Sequence, residues 1–140
     1  MRIKLLLFFI LFFQISFGQT IFGKWKTIDD ETGKEKGIVE IFEYKGKVYG
    51  KIIEIFEADK KHLKCEKCDG EDHNKPILGM NIIKGLKKKD GIYDGGKIVD
   101  PKNGKSYHCK IVLDGKDKLI VRGYIGIPLF GRSQTWLRLK

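Results

Sequence analysis

Lys105–Lys140 reads KSYHCKIVLDGKDKLIVRGYIGIPLFGRSQTWLRLK, and this stretch decides the fold. Three runs rich in β-branched and aromatic residues stand in it: Tyr107–Leu113, Lys118–Tyr124 and Ser133–Leu139. Asp114-Gly115, between the first two, tolerates the positive φ of a tight hairpin turn. In the first run Tyr107, Cys109, Ile111 and Leu113 share one face and His108 and Lys110 the other, so the first set should face a core. In the second run Leu119 and Val121 oppose Ile120, Arg122 and Tyr124, and both faces look partly covered. A three-stranded meander has two bare edges, so earlier strands must pair with them or the sheet must curl shut.

Upstream, five more runs have strand character: Ile21–Ile28, Gly37–Tyr44, Lys47–Phe56, Leu78–Leu86 and Gly91–Asp100. Turn chemistry separates them at Asp29–Gly33, at Lys45-Gly46 and at Asp100-Pro101-Lys102-Asn103-Gly104. Gly79, Gly85, Gly95 and Gly96 mark the bulges and bends that a curved sheet needs. A long charged connection at 57–76 holds two cysteines and two histidines and follows neither the strand nor the helix period. Eight strand candidates without a 3.6-period helix predict one all-β domain. It should be an up-and-down antiparallel barrel of about eight strands with no C-terminal helix. A seven- or eight-stranded sandwich is the alternative.

The first eighteen residues stand apart. Arg2 and Lys4 precede the apolar run Leu5–Phe13, and Ser16-Phe17-Gly18 precedes Gln19. A charged start, a short apolar run and small residues before a cut site make a secretory signal peptide, removed to leave a domain over 19–140. The run is too short to span about 30 Å of hydrocarbon as a helix. The expected location is therefore periplasmic or secreted. Without those residues, 26 bases and 18 acids leave a net charge of +8. The lysines are scattered and do not interleave with aromatic residues, which argues against a nucleic-acid partner. The chain reads as a monomer.

Several blocks together resemble a known family. Gly23-Lys24-Trp25, Tyr49-Gly50-Lys51-Ile52, Pro76–Met80, Gly95–Pro101, Val121–Tyr124 and Gly131–Trp136 are similar to DUF2147, a bacterial domain of unknown function. The resemblance spans essentially the whole exported part. It implies a small exported protein of unestablished function and supplies no catalytic residues. A more distant resemblance is to lipocalin-like barrels, through Gly23-x-Trp25 in the first strand and Arg138 near the end of the last. It implies a barrel floor on which the guanidinium lies over the indole, or else a buried Trp25 and an exposed Arg138 that never meet.

The candidate chemistry has competing readings. His62-x-x-Cys65-x-x-Cys68 followed by His73 is either a Cys65–Cys68 disulfide pinning the long loop or a tetrahedral zinc site made of all four. In an exported chain the disulfide is expected, with no metal and no cofactor. Cys109, the third thiol, reads as a small buried hydrophobe. Gly126–Gly131 carries Ile127, Leu129 and Phe130 between the last two strands. It either folds over the barrel end as a plug or edges a ligand entrance, touching a membrane or an envelope partner. Arg122 and Tyr124 join these three as candidate ligand contacts, with Arg122 either pairing an anionic ligand inside the barrel or, as the more ordinary reading, lying on the surface or pairing with one of the many acids. No nucleophile elbow, metal motif or phosphate loop is present. The expected function is non-enzymatic binding of a small apolar or amphipathic ligand. The alternatives are an interaction module with a filled barrel and, last, an enzyme with a site inside it.

Overall fold

A computed structural model describes residues 20–140, and the expected signal peptide over 1–18 lies outside them. Eight antiparallel strands close into one barrel in sequence order, so the sandwich alternative does not hold. They are β1 (Gly23–Ile28), β2 (Glu35–Tyr44), β3 (Lys47–Ile55), β4 (Asn81–Lys89), β5 (Ile92–Val99), β6 (Ser106–Asp114), β7 (Lys118–Tyr124) and β8 (Gly131–Arg138). Each expected run carries one of these strands. The largest displacement is in β4, which begins at Asn81 and runs on to Lys89. Lys87, Lys88 and Lys89 pair with Asp94, Tyr93 and Ile92. The two-residue turn Asp90-Gly91, with φ of 52° and 79°, joins these strands. Three lysines carry no apolar alternation, so the sequence hides the end of this strand.

Connectivity gives the barrel two different ends. The turns after β2, β4 and β6 lie with the chain's last residues at the floor. The connections after β1, β3, β5 and β7 lie at the opposite end, the mouth. Closure rests on a short ladder in which Trp25 and Lys26 of β1 pair with Arg138 and Leu137 of β8. Above those two pairs β1 and β8 part.

The floor half of the interior is packed solid. Trp25, Ile83, Leu86, Cys109, Ile111 and Leu119 are 0 % exposed, and Ile41 and Trp136 are 1 % exposed. A side chain with no accessible surface borders no void that would hold a water molecule. Burying each large apolar side chain contributes about 1.5–3 kcal/mol, so this layer is the main source of stability.

A second buried group sits outside the barrel wall. Ile83 and Ile98 pair with one another across β4 and β5, which turns Ile82 and Val99 to the outer face. Both are buried and cluster with Cys65, Cys68 and Met80 of the β3–β4 connection. Two short 3-10 turns, Ala58–Lys60 and Gly70–Asp72, shape that connection, and the buried Asp72 ties it to β4 through an ion pair with Lys84.

Candidate functional site

The floor is closed by three residues the sequence singles out. The guanidinium carbon of Arg138 lies 4.3 Å from the centre of the Trp25 ring. Arg138 also donates to the carbonyls of Thr20 (2.7 Å), Phe22 (3.3 Å) and Lys116 (3.0 Å), and the Trp25 indole donates to Ile21 at 2.8 Å. Gly23 has φ of 123°, and a Cβ there would lie 3.6 Å from the Arg138 guanidinium. Cation–π attraction of this kind contributes about 0.5–2 kcal/mol. No ligand passes through this end.

The mouth half is different. Register places Thr27 opposite Gly37, Gly37 opposite Ile55 and Val39 opposite Ile52. Ile98 lies opposite Tyr107, and Gln134 opposite Val121. These are inward positions, yet Thr27, Ile52, Ile55, Ile98, Tyr107 and Gln134 are all only half-buried. Solvent therefore reaches the inner wall at the mouth, above the solid layer. A Cβ on Gly123 would sit 3.4 Å from Ile98 and 3.5 Å from Tyr107, in ordinary van der Waals contact with both, so the strand at this inward position runs close to its neighbours' side chains.

The mouth thus presents half-buried apolar side chains with a few polar points among them, a set we call the cup. Gln134 accepts a hydrogen bond from the Trp136 indole at 3.1 Å, which fixes its amide and leaves the NH2 group free to donate. The Tyr107 hydroxyl accepts from Asn103 at 3.2 Å. At the rim Arg132, also inward by alternation from Gln134, bridges the parting of β1 and β8. It pairs with Asp30, one contact being 2.9 Å, and with Glu31 at 2.8 Å. Those carboxylates, Asp30 first, raise its pKa above the ordinary arginine value.

Two residues expected at a ligand face outward instead. Arg122 is flanked by Val121, buried in the core, so its own side chain lies on the other face. Arg122 donates to the carbonyls of Pro128 (2.8 Å) and Leu129 (3.5 Å) and to the Ser133 hydroxyl (2.9 Å). The interior anion contact is thus corrected to a clamp on the β7–β8 connection. Tyr124 stacks beside His108, with ring centres 5.3 Å apart, and donates to Asp94 at 3.1 Å. Burial and that bond raise its phenol above the ordinary value.

The plug reading is corrected as well. Ile125, Ile127, Leu129 and Phe130 are 66 %, 53 %, 76 % and 65 % exposed. An outward-facing arginine clamps the tip, whose apolar side chains stand in solvent rather than in the barrel.

Cys65 and Cys68 form a disulfide with Cα atoms 5.4 Å apart, worth about 2 kcal/mol on the loop-closure account. The zinc alternative is not assembled, because both sulfurs are in the disulfide, His62 is exposed and His73 Nδ1 donates to the Cys68 carbonyl at 3.0 Å. Cys109 is fully buried, and its thiol is pushed up to about 12 by burial and by the charge of Asp94. It stays protonated and is a poor nucleophile. Two outer clefts flank Asp72, about 480 and 380 Å³ in volume. Both share Glu71, Asp72 and Lys84, and Asp72 is paired with Lys84 and Lys75.

The cup residues were missed in the sequence, although alternation back from Trp136 would have placed Gln134 inside. Comparison with known proteins agrees with the architecture. No curated protein matches the chain. The barrel is similar to protein HP1028 from the human pathogen Helicobacter pylori, which belongs to the lipocalin family. The TM-score is 0.75, with 24 % identity, covering 86 % of this chain and 84 % of that one. At that identity the likeness is one of fold. A family match runs over residues 23–138, from the floor glycine to the arginine above its tryptophan, so the chain belongs to DUF2147, described as "Uncharacterized protein conserved in bacteria".

Proposed function

We propose that the exported barrel is a non-enzymatic binder of one small apolar or amphipathic ligand, seated in the mouth cup. The observation that carries this is the change in exposure along inward positions, from none in the layer of Trp25, Ile83, Cys109 and Ile111 to half-buried at Ile52, Ile98, Tyr107 and Gln134 toward the mouth. Ile52, Ile55 and Ile98 would hold an apolar group. The Gln134 amide would donate to an acceptor on the ligand, with the Tyr107 hydroxyl nearby. Eight-stranded barrels have interiors just wide enough for side chains or for one small ligand. Here the two share the interior, side chains below and ligand above. The likeness to a lipocalin-family barrel supports the same reading.

Titration with anilinonaphthalene sulfonate, a dye that brightens in apolar sites, tests this. The wild type should bind one dye per chain. Ile98→Phe, which fills the cup without adding charge, should weaken binding at least tenfold and leave melting within a few degrees. Equal binding by the variant would place the dye elsewhere and remove the cup as the site.

A second reading, an envelope interaction module, is favoured by the four exposed apolar side chains of the β7–β8 tip.

A further inference from the structure

Tyr124–Gly131 contains no charged residue and leaves four large apolar side chains in solvent. Such a cluster on one short loop marks a contact surface. Its surroundings indicate the partner. Cross-strand pairing lines up Lys97 with His108, His108 with Tyr124, and Lys110 with Arg122. Lys97, Lys110 and Arg122 thus form a basic strip on the outer wall of β5–β7, with Arg122 held against the tip it clamps. Asp94, engaged by the Tyr124 hydroxyl, and Asp114, opposite Lys118 at the floor end of β6, are the acids on this wall, and the cleft beside Lys97 also holds Asp69, Glu71 and Asp72. An apolar tip beside fixed cations complements a surface that is anionic on the outside and apolar just beneath.

We propose that the β7–β8 tip and this strip seat the protein on an anionic bilayer. Ile125, Ile127, Leu129 and Phe130 enter the boundary between headgroups and acyl chains, and Lys97 and Lys110 lie against lipid phosphates, while Arg122 holds the tip in place. Each cation near such a surface strengthens binding about fivefold. The inference stands apart from ligand binding in the cup.

Co-sedimentation with vesicles tests it, comparing pure phosphatidylcholine with vesicles containing phosphatidylglycerol. The wild type should sediment with the phosphatidylglycerol vesicles and not with pure phosphatidylcholine, and added salt should release it. Leu129→Ser/Phe130→Ser should weaken binding at least tenfold at unchanged melting. Lys97→Gln/Lys110→Gln, which leaves the tip intact, should weaken it by a similar factor. Absence of sedimentation with phosphatidylglycerol, or equal sedimentation by the Ser variant, would overturn the proposal. So would a wild-type dimer in light scattering that the Ser variant breaks, since a second copy would then cover the tip. A drop in melting in the Ser variant counts against it too, because the tip would then be packed.

Discussion

Trp25→Ala is expected to destabilise the barrel by about 3–5 kcal/mol, in the range for deleting a large buried aromatic side chain. The indole is completely buried and its N–H bond to Ile21 ties down the segment crossing the floor. Its removal opens a cavity and takes the ring from beneath Arg138. Trp25 also sits in the two-pair ladder that closes β1 on β8, so the loss falls where closure is thinnest. In a domain of this size the melting temperature should drop by about 10 °C or more, measurable by calorimetry. Arg138→Ala should show the same weakness more mildly, at about 2 kcal/mol, with a change in tryptophan emission. Arg138→Lys should not rescue it, because one ammonium cannot reach three separate carbonyls in the guanidinium's fixed fork. Unchanged emission and melting in both arginine variants would show that the floor pair contributes nothing.

Gly104→Ala should cost about 3 kcal/mol or more, a large penalty for one methyl group. Gly104 has φ of 74°, and a Cβ there would sit 1.9 Å from the Lys67 carbonyl oxygen and 2.7 Å from the Cys68 nitrogen. Neither neighbour is a flexible side chain. Backbone must move, and the backbone that moves is the disulfide turn docked on the β5–β6 connection. Cys65 Sγ also contacts the Pro101 carbonyl there, at 3.5 Å. The buried disulfide should therefore become open to reductants in the variant, read as faster thiol release by mass spectrometry. Gly115→Ala is the control, since its φ of 68° is similar but nothing lies within 4 Å of its Cβ position. It should cost only about 1 kcal/mol, for the backbone conformation alone. Equal losses at the two sites would mean that loop docking is not tight.

The strands were legible because most runs alternate apolar and polar residues between glycine-bearing turns. Where alternation failed, so did the reading. Leu119, Ile120 and Val121 are consecutive apolar residues, so nothing local chose a face for Arg122. The structure chooses by placing Leu119 and Val121 in the core. The β7–β8 tip was undecided for a different reason. Four residues between glycines can fold inward or outward, and the choice is made by the Arg122 clamp, a tertiary contact. The cup was hidden because parity does not survive a bulge. The ladder shifts between Ile38 and Val39 and again between Tyr93 and Gly96, so inward positions cannot be counted from one end of those strands to the other. The floor pair, in contrast, came from resemblance, since Trp25 and Arg138 are more than a hundred residues apart and no local pattern joins them.

Native mass spectrometry of the protein recovered from its own host tests the central claim, that the mouth cup holds a ligand. One small apolar or amphipathic molecule per chain should co-purify, released on unfolding and absent from Ile98→Phe prepared in parallel. Empty wild-type protein in repeated preparations, or a molecule retained equally by the variant, would contradict it.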